Sequence, residues 1–193
     1  MTTFIFATHN QNKVFEISPF LSDQIQIKTL NDLSYFDEIP ETADTIEGNA
    51  FLKADFVFNR FKTHCFADDT GLEVESLHGE PGVFSARYAG LQKNSADNIE
   101  KLLANLKPFE NRNAQFKTVI GLFYKGVYYE FTGIVKGKIL HHPVGNEGFG
   151  YDPIFMPDGF DRTFAQMSLA EKSKISHRGI AMQKLIDCIN QSF

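Results

Sequence analysis

The chain switches repeatedly between two hydrophobic periods, and each switch marks an element. Thr3 to Ala7 is a short apolar run of the kind a buried strand presents. Thr8-His9-Asn10-Gln11-Asn12-Lys13 follows it directly, and Val14, Ile17, Phe20 and Leu21 then fall at helical spacing. The unit is therefore strand, polar loop, helix. Ile25 to Leu30 returns to strand character. Asn31 to Glu41 is a polar connection in which Pro40 keeps Ile39 extended. Asp44 followed by Glu47 has the acid-x-x-Glu form of a helix start. The spacing of Ile46, Ala50, Ala54, Val57, Phe58 and Phe61 predicts a helix from about Thr45 to Thr63.

Cys65-Phe66-Ala67 predicts a strand that delivers Asp68 and Asp69 at its end, with Gly71 letting the chain turn. Pro81-Gly82 and Gly90 bracket a loop containing Arg87. A helix is predicted over Asn94 to Leu106, with Ser95 as N-cap. Ala114 to Tyr124 and Val127 to Leu140 read as two long strands joined by a Lys125-Gly126 turn. That hairpin requires a mixed rather than an all-parallel sheet. Pro143 to Pro153 is a glycine-rich loop around Phe149, Tyr151 and Asp152, and Ile154 to Met156 is a short buried strand. Ser168-Leu-Ala-Glu171 matches a capping box, and a last amphipathic helix is predicted from about His177 to Ile189.

Composition narrows the classes. The chain has 193 residues, 42% of them hydrophobic and 20 of them Phe, enough for a real core and too apolar for disorder. A net charge of −5 argues against a partner that is a nucleic-acid polymer, although local cations still permit a nucleotide site. Two cysteines with no CxxC pair suggest a reducing, cytoplasmic setting. Neither a membrane span nor a signal peptide is expected.

Three groups of residues suggest chemistry. Asp68 and Asp69 offer hard carboxylate oxygens of the kind that hold Mg²⁺. Thr8, Asn10 and Lys13 at a helix start suit an anion, though no P-loop pattern is present. Phe149 or Tyr151 suits stacking on a planar base. Each segment also has a plain structural reading: an acidic turn, a capped helix with a solvated lysine, a glycine loop with a core aromatic, a solvated basic face.

The segments in order resemble the inosine triphosphate pyrophosphatase family. The resemblance rests on Ala7 to Lys13, Glu41-Thr42 with Glu47-Gly-Asn-Ala50 and Lys53-Ala54, and Ala67 to Leu72. It continues through Pro81 to Tyr88, Gly148 to Pro153, and Glu171 to Arg178. Departures are small: His9, Asn12 and Ala43 stand where glycine is usual, and Thr70 where serine is. The resemblance implies one domain over residues 1–193, an α/β fold of two lobes around a long mixed sheet with flanking helices, and a central nucleotide cleft. It implies Mg²⁺-dependent hydrolysis of ITP, dITP and XTP to monophosphate and pyrophosphate by a homodimer.

Residue by residue, it implies that Glu41 and Asp69 hold the metal, with Asp68 adding charge nearby, and that Asp69 activates water. Thr8, His9, Asn10, Gln11, Asn12, Lys13, Lys53 and Thr70 would meet the triphosphate, with Arg87 a weaker candidate. Phe149, Gly150, Tyr151, Asp152, Lys172, His177 and Arg178 would meet the base. A nucleotide sensor without turnover, or a pyrophosphatase for modified pyrimidines or damaged nucleotides, would use the same residues.

Overall fold

A computed structural model describes residues 2–191. Its elements are β1 (Thr2–Phe6), α1 (Gln11–Ile17), β2 (Ile25–Thr29), α2 (Ile46–Phe61), β3 (Cys65–Val74), α3 (Ser95–Leu106), β4 (Asn113–Tyr124), β5 (Val127–Ile139), β6 (Phe155–Pro157), α4 (Leu169–Ile175) and α5 (His177–Asn190). The strands form one six-stranded sheet in the order β2-β1-β3-β4-β5-β6. β1 runs parallel to β2 and to β3, whereas β5 and β6 are antiparallel, so the sheet is mixed, as the hairpin required. At that hairpin Lys125 and Gly126 both have positive φ, +51° and +81°, as a type I′ turn demands.

The chain divides into two compact units. The first comprises, within the described residues, 2–69, 118–133 and 178–191. Its strands are apolar on both faces, and the period of two sorts them. Phe4, Phe6 and Phe66 pack with Ile17 of α1 and with Ala181, Met182 and Leu185 of α5. Ile5, Ala7, Cys65 and Ala67 pack with Ala54 and Val57 of α2. The second unit comprises 70–117 and 134–177. Its core joins Leu72 and Val74 to Leu102 and Leu106 of α3 and to Phe116, Phe155 and Phe164.

Three local expectations are corrected. β3 does not end at Asp69: it continues through Gly71 to Val74 with no turn. Asp and Gly together give a turn signal locally, but here the acids have buried partners from distant elements, and the strand pairing overrides it. α2 is capped by Thr45, whose Oγ1 accepts from the Gly48 N–H at 3.0 Å, rather than by Asp44. α3 is capped by Asn94, whose Oδ1 accepts from the Ala96 and Asp97 N–H groups, rather than by Ser95. In both cases adjacent residues are competent caps, and the register of the buried helix face decides between them. The Ser168–Glu171 capping box at the start of α4 is formed as expected. No described helix is long and apolar enough to cross a membrane.

Leu102 is fully buried in the second core. Leu102→Ala is expected to cost ~2–5 kcal/mol of stability through lost burial and the cavity left behind, read by urea denaturation.

Candidate active site

β3 supplies two consecutive acids, and successive side chains on a strand point to opposite faces. Phe66 packs on the α1/α5 side of the first unit, whereas Cys65 and Ala67 pack on the α2 side. Asp68 therefore faces α1 and α5, and Asp69 faces α2.

On its side Asp68 is nearly inaccessible, and its carboxylate is enclosed by cations. Lys13 Nζ from α1 lies 2.7 Å from Oδ1. Arg178 from α5 donates through Nε at 3.0 Å and Nη2 at 2.9 Å to Oδ2. Arg178 also donates through Nη1 to Glu16 on α1, and only 2% of the arginine is exposed. Burial alone would raise the Asp68 pKa, but Lys13, Arg178 and Lys53 outweigh it and hold this carboxyl well below the usual carboxylate range. Arg178 is shifted upward by Glu16 and Asp68 against its own desolvation. Lys13 is shifted downward, chiefly by burial and by the neighbouring Lys53 and Arg178, against the pull of Asp68 and Asp69.

The α2 side differs. Lys53 Nζ lies 2.5 Å from Glu41 Oε1 and 3.1 Å from Asp69 Oδ1. Here one ammonium faces two carboxylates. Asp69 Oδ2 is buried and has no hydrogen-bond partner among the described residues. Burial, with Glu41 adding to it, raises the Asp69 pKa against the pull of Lys53 and Lys13. Lys53 is raised because Asp69, Glu41 and Asp68 outweigh its desolvation.

An unsatisfied buried carboxylate oxygen costs free energy unless something else meets it. No cluster of three or more His, Cys, Asp or Glu side chains among the described residues is placed to hold a metal ion. Mg²⁺ needs no such cluster: it takes one or two carboxylates and fills its remaining positions with water and substrate phosphates. Glu41 and Asp69, which share the Lys53 ammonium, could serve as such a pair.

The loop between β1 and α1 is held by its own polar groups. Asn10 N–H donates to Thr8 Oγ1 at 3.1 Å, and Asn10 Oδ1 caps α1 by accepting from Asn12 N–H at 3.0 Å. Asn10, Gln11 and Asn12 are exposed, and Thr8 is buried. The His9 ring turns toward the connection after β2, with Nδ1 3.0 Å from Asn31 Oδ1 and Nε2 3.1 Å from the Asp37 carbonyl. Thr70 is half-buried on β3, directly after Asp69 in the chain.

The second unit brings together the other predicted group. Asp152 Oδ2 accepts from the Phe149 N–H at 2.9 Å and from Lys172 Nζ. Lys172 Nζ lies 5.5 Å from the centroid of the Phe149 ring, a cation–π distance. Gly148 has φ +74°, and a Cβ there would collide with the Asp152 carboxylate, so the loop needs glycine at that position. Phe149 is half-exposed. Tyr151 is buried, and its hydroxyl donates to the Ser85 carbonyl at 2.9 Å. Burial pushes that hydroxyl's pKa upward. His177 is buried and stacked on Phe116 at 4.5 Å between ring centroids.

The structure thus groups Lys13, Asp68 and Arg178, then Glu41, Lys53 and Asp69, and then Phe149, Asp152 and Lys172. Within the first unit, Asp68 and Glu16 accept the Arg178 guanidinium hydrogen bonds. Tyr151 packs as a core residue, leaving Phe149 as the accessible ring. Glu16 was missed by the sequence reading. Its signal was an acid between Val14 and Ile17 on the apolar side of α1, where a buried charge requires a partner.

The comparisons follow this geometry. Residues 4–188 match the Ham1 family. A Flavobacterium johnsoniae protein named dITP/XTP pyrophosphatase is 57% identical over 96% of each chain. A Porphyromonas gingivalis protein of the same name is 46% identical over 97% of each. The structure of the Staphylococcus aureus Ham1 protein superposes with a TM-score of 0.90 at 37% identity, covering 99% of this chain and all of that one.

Asp68→Asn leaves Arg178 and Lys13 without their shared buried carboxylate and is expected to cost ~3–5 kcal/mol at pH 7. The folded pKa of Asp68 lies below its unfolded value, so this contribution is fully present above the ordinary carboxylate range. It is lost as pH falls below ~4 toward the folded pKa. Urea titrations should therefore show the gap between wild type and variant narrowing below that pH.

Proposed function

The chain belongs to the Ham1 family, and from that premise we propose that it is a Mg²⁺-dependent nucleoside triphosphate pyrophosphatase. It hydrolyses ITP, dITP and XTP to the monophosphate and pyrophosphate. Relatives named dITP/XTP pyrophosphatase along nearly their whole length support this reading. The observation that carries it is the Asp69 carboxylate, buried beside Lys53, with one oxygen left without a partner among the described residues. A polar atom in that state suits a ligand to a cation or an acceptor for a water proton.

Glu41 and Asp69 would hold Mg²⁺. When bound, the ion supplies charge neutralisation for the phosphates and polarises their oxygens. Phosphoryl transfer depends mainly on positioning and electrostatics, and the chain's cations provide both. Lys13 and Lys53 meet the triphosphate, with the Thr8–Asn12 loop and Thr70 supporting. Asp69 orients a water for attack on the α-phosphorus and accepts its proton. The Pα–O bond to the β-phosphate then breaks, and pyrophosphate leaves.

Base recognition falls to the second unit. Phe149 stacks on the purine, with Gly148 and Gly150 keeping the loop backbone close to it, and His177 completes the pocket. The Lys172 ammonium, oriented by Asp152, donates to a 6-oxo group. Hypoxanthine and xanthine present that acceptor, whereas adenine presents an amino donor and leaves the lysine unsatisfied. Guanine shares the 6-oxo group, so its exclusion needs contacts at the 2-position. Arg178 acts on Asp68 and Glu16 as a positioning residue rather than on the base. One domain of 193 residues acting as a cytoplasmic homodimer completes the reading.

Pyrophosphate release from ITP, XTP, dTTP, ATP and GTP with Mg²⁺ tests it. ITP and XTP should be turned over and ATP should not. Release from none of them would leave a nucleotide sensor, and preference for dTTP would leave a pyrimidine enzyme. Asp69→Asn should lower turnover by ~10²–10⁴-fold with the fold unchanged by circular dichroism, since it removes the general base. Lys172→Met should lower the ITP-over-ATP preference by ~10–100-fold, the worth of one hydrogen bond from a charged donor. An unchanged preference would remove Lys172 from base recognition.

A further inference from the structure

Lys53 stands where a metal's charge would be needed. Its Nζ bridges Glu41 Oε1 at 2.5 Å and Asp69 Oδ1 at 3.1 Å, and the lysine is buried. These carboxylates come from separate segments, the connection after β2 and the strand β3. Two like charges converging in a buried site repel each other unless a cation separates them. The ammonium supplies that cation. Asp69 Oδ2, by contrast, has no hydrogen-bond partner among the described residues, so the ammonium of Lys53 leaves Asp69 short of one ligand. An ammonium and a divalent ion bound to the same two carboxylates would compete for the same oxygens.

We propose that Lys53 is a place-holding cation: it keeps the Glu41–Asp69 pair closed to metal until a triphosphate offers the ammonium other oxygens. This rests on the metal reading given above and adds an order of events to it. Free divalent ion binds the nucleotide-free protein poorly. Arrival of the phosphates draws Lys53 off the carboxylates, and the pair then accepts the ion that accompanies them. The lysine stem reaches from the buried face of α2, so the shift needs only side-chain torsions. Its rearrangement carries no covalent step: one ion pair, ammonium to carboxylate, is exchanged for another, ammonium to phosphate, and the net charge on the carboxylates is met by the incoming ion.

The test is Mn²⁺ binding, followed by electron paramagnetic resonance, to the full-length protein with and without a non-hydrolysable ITP analogue. Without nucleotide, Lys53→Met should bind Mn²⁺ at least ten-fold more tightly than wild type. With the analogue, wild type should tighten and the gap should close to less than three-fold. Equal affinities without nucleotide, or weaker binding by the variant, would overturn the proposal. A gap that persists unchanged with the analogue would also overturn it, since a simple change in net charge acts in both states. Should Lys53→Met fail to fold, Lys53→Gln, which keeps a polar head on a shorter stem, is read in the same way. The underlying metal reading fails separately: it does so when Asp69→Asn, added to the Lys53 variant, leaves Mn²⁺ affinity where it was.

Discussion

Side chains on a strand alternate between its faces, and that constraint separates two neighbouring aspartates into two different jobs. Asp68 turns to the α1/α5 layer and meets Lys13 and Arg178. Asp69 turns to the α2 layer and meets Lys53. Cations on the Asp68 side match its charge and that of Glu16. On the Asp69 side the Lys53 ammonium meets both Glu41 and Asp69, and Asp69 Oδ2 has no hydrogen-bond partner among the described residues. The first arrangement is a buried ion network whose charges are matched, and the second leaves a carboxylate oxygen able to meet a ligand.

The two sides are coupled through the strand. Breaking the Asp68 network would leave a buried guanidinium and an ammonium without their carboxylate, and β3 carries Asp69 one residue further on. The cost of burying Glu16, Asp68 and Arg178 therefore contributes to the precision with which Asp69 is held. Arg178 belongs to this anchor through its hydrogen bonds to Asp68 and Glu16. In the second unit, Lys172 pairs with Asp152 and lies 5.5 Å from the centroid of the Phe149 ring.

Much of this was legible in the sequence because it is local. The apolar runs of β1 and β3, the spacing of α2 and α3, the Lys125-Gly126 turn and the Ser168 capping box all follow from periodicity and backbone preference. Asp68 and Asp69 stand out as adjacent acids, but Glu41 and Lys53 are joined to Asp69 only through a family resemblance, because no spacing links them. What stayed hidden was tertiary. Gly71 looked like a turn and is strand, since β3 runs on beside β4 to Val74. Glu16 went unnoticed and is buried, since its partner lies 162 residues away. Tyr151 and Phe149 were equal candidates for stacking until packing buried one of them.

The central claim is that the adjacent aspartates are not interchangeable, and a Mn²⁺ anomalous difference map tests it most directly. In crystals of the protein with Mn²⁺ and a non-hydrolysable ITP analogue, the strongest peak should lie against Asp69 and Glu41, with Asp68 still paired to Arg178. A peak coordinated by Asp68, with Arg178 displaced toward the nucleotide base, would contradict the account.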